Sequence, residues 1–295
     1  MMERKDFLKW MFFAPLTLHS MELQELHKIS AQLPNSPKMP ILFIGHGSPM
    51  NAIEDNKFVQ TWKKTAQNIP RPSAILCISA HWETRGTKVT AMPKPQTIHD
   101  FGGFPKELFA KQYPAPGFPE LAENVQSIIT KTHVELDHRW GLDHGTWSVL
   151  AQMYPEADIP VIQLSMDITQ PTAYHFELGR QLESLRNKGV LILGSGNMVH
   201  NLGILDWHNP DGGYDWAIEA NEQFKQKILN EDYTSLNKIR SVSHAFQLAV
   251  PGYDHFHPLM YVLGLKSPNE EVTFFNDYLA MGSLSMTSLL ISGNS

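Results

Sequence analysis

Four short apolar runs punctuate the chain, each marked off by glycine or proline. Ile41-Leu42-Phe43-Ile44 is stopped by Gly45, and Ala74-Ile75-Leu76-Cys77-Ile78 follows Arg71-Pro72. Val161-Ile162-Gln163-Leu164 follows Pro160, and Val190-Leu191-Ile192-Leu193 lies between Gly189 and Gly194. Continuous apolar runs of this length suit strands buried on both faces, as in parallel sheets. Helical patterns lie between them. Phe58, Trp62, Thr65 and Ala66 share one face, as do Leu121, Val125 and Ile128, and as do Tyr174, Leu178, Leu182 and Leu185. Late in the chain, Val272–Phe275 and Leu284–Leu290 read as further strands, and Leu259, Met260, Val262 and Leu263 as a helix. The alternation predicts an α/β fold: a single domain over residues 39–292, with a central, largely parallel or mixed sheet flanked by helices.

Residues 1–38 stand apart. Arg4-Lys5 before the apolar stretch Trp10–Leu16 is similar to a degenerate twin-arginine export signal. Pro15 interrupts that stretch, and no small-residue cleavage site follows. The expectation is therefore an amphipathic leader, or a start at Met21 or Met39, on a cytoplasmic protein, with export as the alternative.

Composition narrows the function classes. Lys+Arg 24 against Asp+Glu 30 gives a net charge of −6, which argues against a nucleic-acid binder. No apolar run reaches the roughly 20 residues that span a bilayer, so no membrane partner is expected. Cys77 is the single cysteine, so neither an internal disulfide nor a thiolate metal cluster can form. A metal would have to sit on carboxylates and on some of the 14 histidines.

Three of those histidines follow apolar runs. His46 comes directly after the first, in Gly45-His46-Gly47-Ser48-Pro49; His81 follows the second, in Ser79-Ala80-His81-Trp82; and His200 follows the fourth, in Gly196-Asn197-Met198-Val199-His200-Asn201. In open α/β sheets, ligands bind beyond the carboxyl ends of the strands, so separate strands would deliver these side chains to one crevice. Neutral imidazole suits zinc, iron, copper and nickel. His255 and His257 are two apart in Tyr253-Asp254-His255-Phe256-His257-Pro258 and point different ways in any regular structure, so one faces the site and spacing alone does not say which. Asp143 and His144, between Gly141 and Gly145, read as an ordered loop. His99–Pro105 and Tyr113–Gly117 are aromatic, glycine- and proline-rich loops suited either to wall a flat substrate or to brace the fold.

Taken in order, these motifs, with His255-Phe256-His257-Pro258-Leu259, resemble the 4,5-DOPA dioxygenase extradiol family, of the class III, LigB-type ring-cleaving dioxygenases. The likeness runs from about residue 40 to the C-terminus. It implies a LigB-like fold. It also implies that His46, His81 and His255 are metal ligands, that His200 is the acid/base histidine, and that His144, with Asp143 and Phe104, lines the substrate pocket. His144 would share the catalytic work with His200. The implied reactants are O2 and a small catechol such as L-DOPA; the oligomeric state is left open. One divalent metal per chain is implied, Fe(II) for the dioxygenase reaction, with Zn(II) able to occupy the site and draw in His200 as a fourth ligand. The wider superfamily carries two His and a carboxylate, whereas this chain has His at the third position. Two other readings stand beside this one: a zinc-dependent hydrolase, and a non-catalytic zinc protein with a closed four-His site.

Overall fold

A computed structural model describes residue 33 and residues 35–293. Most of the expected leader therefore lies outside the described residues.

The apolar runs form the middle of one six-stranded sheet. Its strands are β1 (Ile41–Gly45), β2 (Ala74–Ser79), β3 (Val161–Gln163), β4 (Val190–Gly196), β5 (Glu270–Phe275) and β6 (Ser288–Gly293). The spatial order is β3-β2-β4-β1-β6-β5. The first four are mutually parallel; β6 runs antiparallel to β1 and β5 antiparallel to β6, so the sheet is mixed.

Period-two geometry explains why these strands carry no polar face. Ile41 and Phe43 of β1 point into one core, and Leu42 and Ile44 into the other. In β4 the same split separates Val190 and Ile192 from Leu191 and Leu193. β1 and β4 are buried on both sides, as a sheet covered by helices on both faces requires, while the edge strand β5 is only partly buried.

One face is covered by α1 (Lys57–Asn68) and α3 (His144–Met153), through Val59, Trp62, Trp147 and Leu150. The other carries α2 (Pro119–Ile128), α4 (Thr172–Gln181), α5 (Asp215–Leu229) and α6 (His257–Gly264), through Val125, Leu178, Phe224 and Leu259.

Three local expectations change. Asp143-His144 is not a loop: Asp143 caps α3, its carboxylate accepting the Thr146 backbone N–H at 3.2 Å. An Asp at that position satisfies donors that a helix start leaves free. The pattern from Tyr174 to Leu185 splits into α4 and a 3-10 turn, Glu183–Lys188, which ends at Gly189 with φ of 73°. The segment 284–290 also divides: Leu284–Ser285 pairs with Leu279–Ala280, and only Ser288–Gly293 joins the main sheet.

Chain just ahead of β1 belongs to the folded body. Leu33 is buried in the core, and Ser36 donates its backbone N–H to the Asn187 carbonyl at 3.0 Å. Buried Arg186 bonds the Met39 carbonyl at 2.7 Å and pairs with buried Glu270, tying this entry to the far end of the sheet. Among the described residues, no helix is long and apolar enough to cross a membrane.

Candidate metal centre

The parallel register brings the carboxyl ends of β1, β2 and β4 level. Gly45 sits beside Gly196, and Ser79 beside Ser195. His46 and His81 follow directly from β1 and β2. His255 arrives from the turn before α6, and Gly196 makes room for it. A Cβ on Gly196 would stand 2.3 Å from the His255 carbonyl oxygen. That carbonyl instead accepts the Asn197 N–H at 2.9 Å, fastening the turn to the end of β4. Gly145 does the same for β2: a Cβ there would meet Ser79 Oγ at 2.4 Å and the His81 ring at 2.9 Å.

Ligand nitrogens of His46, His81 and His255 all lie within 4.8 Å of one another. The hydrogen bonds around them set the tautomers. The Ser195 hydroxyl donates its one hydrogen to the Gly145 carbonyl at 2.5 Å, so toward His46 Nδ1, 3.0 Å away, it can only accept. His46 therefore carries its hydrogen on Nδ1 and leaves Nε2 bare. Asp254 Oδ2 accepts from His255 Nδ1 at 2.6 Å, with the same consequence for that ring. His81 Nδ1 lies 3.5 Å from Asp100 Oδ2.

Burial pushes the pKa values of His46 and His255 well below the usual imidazole value, and the neighbouring histidines push the same way. Burial, then His144, lowers His81 to about 4. All three rings are neutral at pH 7. His46 Nε2 and His81 Nε2 face each other at 3.1 Å. Without an ion, His81 Nε2–H can donate to the bare His46 Nε2 at that distance; with one, both nitrogens can turn lone pairs to it. Nitrogen donors about 2 Å from a common ion stand about this far apart, so the set fits a metal.

Two further histidines flank the three. His200 stacks on His255, ring centroids 3.4 Å apart and planes within 7°. Burial lowers it to about 4 against the opposing pull of Asp254. His144 lies against His81, centroids 3.8 Å apart, with Phe101 edge-on to it at 5.5 Å. His257 turns away, its ring centroid 3.9 Å from that of buried His175.

These neutral imidazoles imply an acid-sensitive fold. Their folded pKa values lie below the unfolded value of about 6.5, so below that pH the unfolded chain binds more protons. Stability of the metal-free protein is full above about pH 6.5 and falls as the pH drops toward the folded values near 4. Thermal melts of metal-free protein should show a falling Tm between about pH 6.5 and 5; a flat profile would contradict buried, neutral rings.

Residues 36–286 match the family described as the catalytic LigB subunit of aromatic ring-opening dioxygenase. The chain belongs to the LigB family. It is 46% identical to a 4,5-DOPA dioxygenase extradiol of Escherichia coli over 87% of this chain and 96% of that one. It is 37% identical to a 4,5-DOPA dioxygenase extradiol of Beta vulgaris, over 83% of this chain and 96% of the relative. A crystal structure of an uncharacterized protein from Escherichia coli K12 superposes with a TM-score of 0.76 at 43% identity, covering 86% of this chain and all of that one.

LigB-type dioxygenases use a non-haem metal, and the donor set here could hold one. Asp143, which the resemblance gave to the substrate pocket, is placed differently. Asp143 is fully buried beneath the site, and its carboxylate is taken up by Ser79 Oγ at 2.6 Å, Gln163 Nε2 at 2.7 Å and its own helix. It braces the end of β2 rather than facing a substrate. Phe104 packs on Phe101, ring centroids 5.4 Å apart, and Phe101 on His144.

Sequence reasoning gave no role to Ser195, Asp100 or Asp254. Ser195 and Asp254 are readable only in part, as neighbours of a histidine motif. The reach of Asp100 to two rings, His81 and His144, depends wholly on tertiary placement.

Proposed function

We propose that this LigB-family chain is an extradiol dioxygenase that opens the ring of a catechol such as L-DOPA, with His46, His81 and His255 holding its metal. The carrying observation is the convergence of three neutral imidazoles, with ring nitrogens facing one another, at the carboxyl edge of the sheet. A ferrous ion held there would bring catechol and dioxygen together and supply the electron transfer between them.

The chain's own residues do the rest. His46, His81 and His255 bind without giving up a proton, because burial keeps them neutral. His200, neutral and one ring-thickness from His255, can accept a proton at a ring nitrogen from a catechol hydroxyl and return it later. Asp100 lies 3.0 Å from His144 Nδ1 and accepts the His144 backbone N–H at 2.9 Å, which fixes that ring beside the site. Phe101 supplies an apolar wall for an aromatic ring.

Geometry also favours the acid/base role of His200 over the four-His zinc alternative. Its ligand atom groups with Asp254 and His255, not with the set of His46, His81 and His255.

The test is anaerobic loading with Fe(II), then a catechol panel followed by oxygen uptake and the appearance of a yellow ring-opened product. Ester hydrolysis by a zinc-loaded form, with no oxygen uptake on any catechol, would overturn the reading in favour of a hydrolase.

A further inference from the structure

Each of the three converging imidazoles has its outer nitrogen engaged, but the partners differ in charge. His46 leans on a neutral hydroxyl, Ser195. His81 faces Asp100 and His255 is bonded to Asp254, both carboxylates. The inner set of His46, His81 and His255 contains no carboxylate. A divalent ion held by three neutral rings keeps its whole charge, in a site where the rings are largely removed from water. The two carboxylates lie one imidazole away, on the outer side, with side chains 18% and 35% exposed, so solvent screens them only in part.

Asp100 also reaches a ring outside the inner set, His144, as Asp254 lies near His200. One oxygen lies 3.0 Å from His144 Nδ1 and 3.5 Å from His81 Nδ1, while the other accepts the His144 backbone N–H. A single carboxylate therefore spans a ring of the metal set and the ring beside the aromatic wall.

We propose that Asp100 and Asp254 are positioning residues that supply the centre's negative charge from behind its ligands, and that Asp100 also couples His81 to His144 beside the aromatic wall. The inference rests on the assignment of His46, His81 and His255 as ligands. Carboxylates behind ligating histidines fix the tautomer and raise the basicity of the ring, and their loss typically weakens metal binding roughly 10–100-fold.

The test needs no turnover. Metal-free protein is titrated with Co(II) against a competing chelator, and the visible Co(II) absorption is recorded. Asp254→Asn keeps an oxygen to accept from His255 and removes only the charge; Asp254→Glu keeps the charge and alters the shape. Asp100→Asn and Asp254→Asn should each weaken Co(II) roughly 10–100-fold and shift its absorption bands. Asp254→Glu should bind more tightly than Asp254→Asn. Catechol binding to the Co(II)-saturated proteins should weaken more in Asp100→Asn than in Asp254→Asn.

Wild-type Co(II) affinity in both Asn variants, or Asp254→Glu binding more weakly than Asp254→Asn, would overturn the charge role. Equal catechol affinity in the two Asn variants would overturn the coupling. Should Asp100→Asn fail to fold, the Asp254 pair still decides the charge role, and Asp100→Glu the coupling. His46→Ala serves as the reference. If it retains wild-type Co(II) affinity, the ligand assignment itself fails; if it loses the metal while the Asn variants do not, only the present inference fails.

Discussion

Metal-free His46→Ala and His255→Ala proteins, titrated with Fe(II) or Zn(II), are expected to lose stoichiometric binding, and ring-cleaving activity with it. Each substitution removes one of three ring nitrogens that converge within 4.8 Å. The affinity loss should exceed the roughly 10–100-fold that removing an outer-shell partner costs, because a metal–nitrogen bond itself disappears. Folding should survive. In His46→Ala, Ser195 keeps its hydrogen bond to the Gly145 carbonyl, so no buried donor is stranded. In His255→Ala, Asp254 is 35% exposed and can turn to water. Metal analysis beside circular dichroism checks both points. A folded His46→Ala protein that still carries one tightly held metal would place the centre elsewhere.

His200→Gln should behave differently. If His200 moves protons, Fe(II) and catechol still bind, and turnover falls roughly 10²–10⁴-fold, the usual worth of a positioned proton-transfer group. Glutamine is polar and of similar length, but its amide nitrogen is not a base. If His200 is instead a fourth zinc ligand, its loss weakens zinc binding and spares the iron form. Metal analysis after separate loading with iron and zinc, with kcat measured on the iron form, separates these outcomes. Iron lost to the same degree as in His46→Ala would end the acid/base assignment.

The part of this site legible in the sequence is what each strand carries to its own end. His46 and His81 sit two and three residues past an apolar run, so a strand ending there must present them at the sheet's edge. The apolar runs are legible for the same local reason: a strand buried on both faces has no polar face to interrupt it. The choice between His255 and His257 is of another kind. Spacing says only that they diverge, and it is the docking of their turn onto Gly196 that sends His255 to the centre and His257 against His175. The Asp143 misreading has the same origin. A carboxylate beside a pocket histidine looks like a substrate contact until Ser79 and Gln163, far away in sequence, are seen to occupy it.

By itself, then, the sequence determined the α/β alternation, the central strands and the histidines at their ends, because strand burial and strand ends are properties of a few consecutive residues. Tertiary structure alone decided the tautomer of His46, the reach of Asp100 across His81 and His144, and the stacking of His200 on His255. Those depend on side chains tens to hundreds of residues apart meeting within hydrogen-bond or ring-contact distance, and no local pattern in the chain encodes such a meeting.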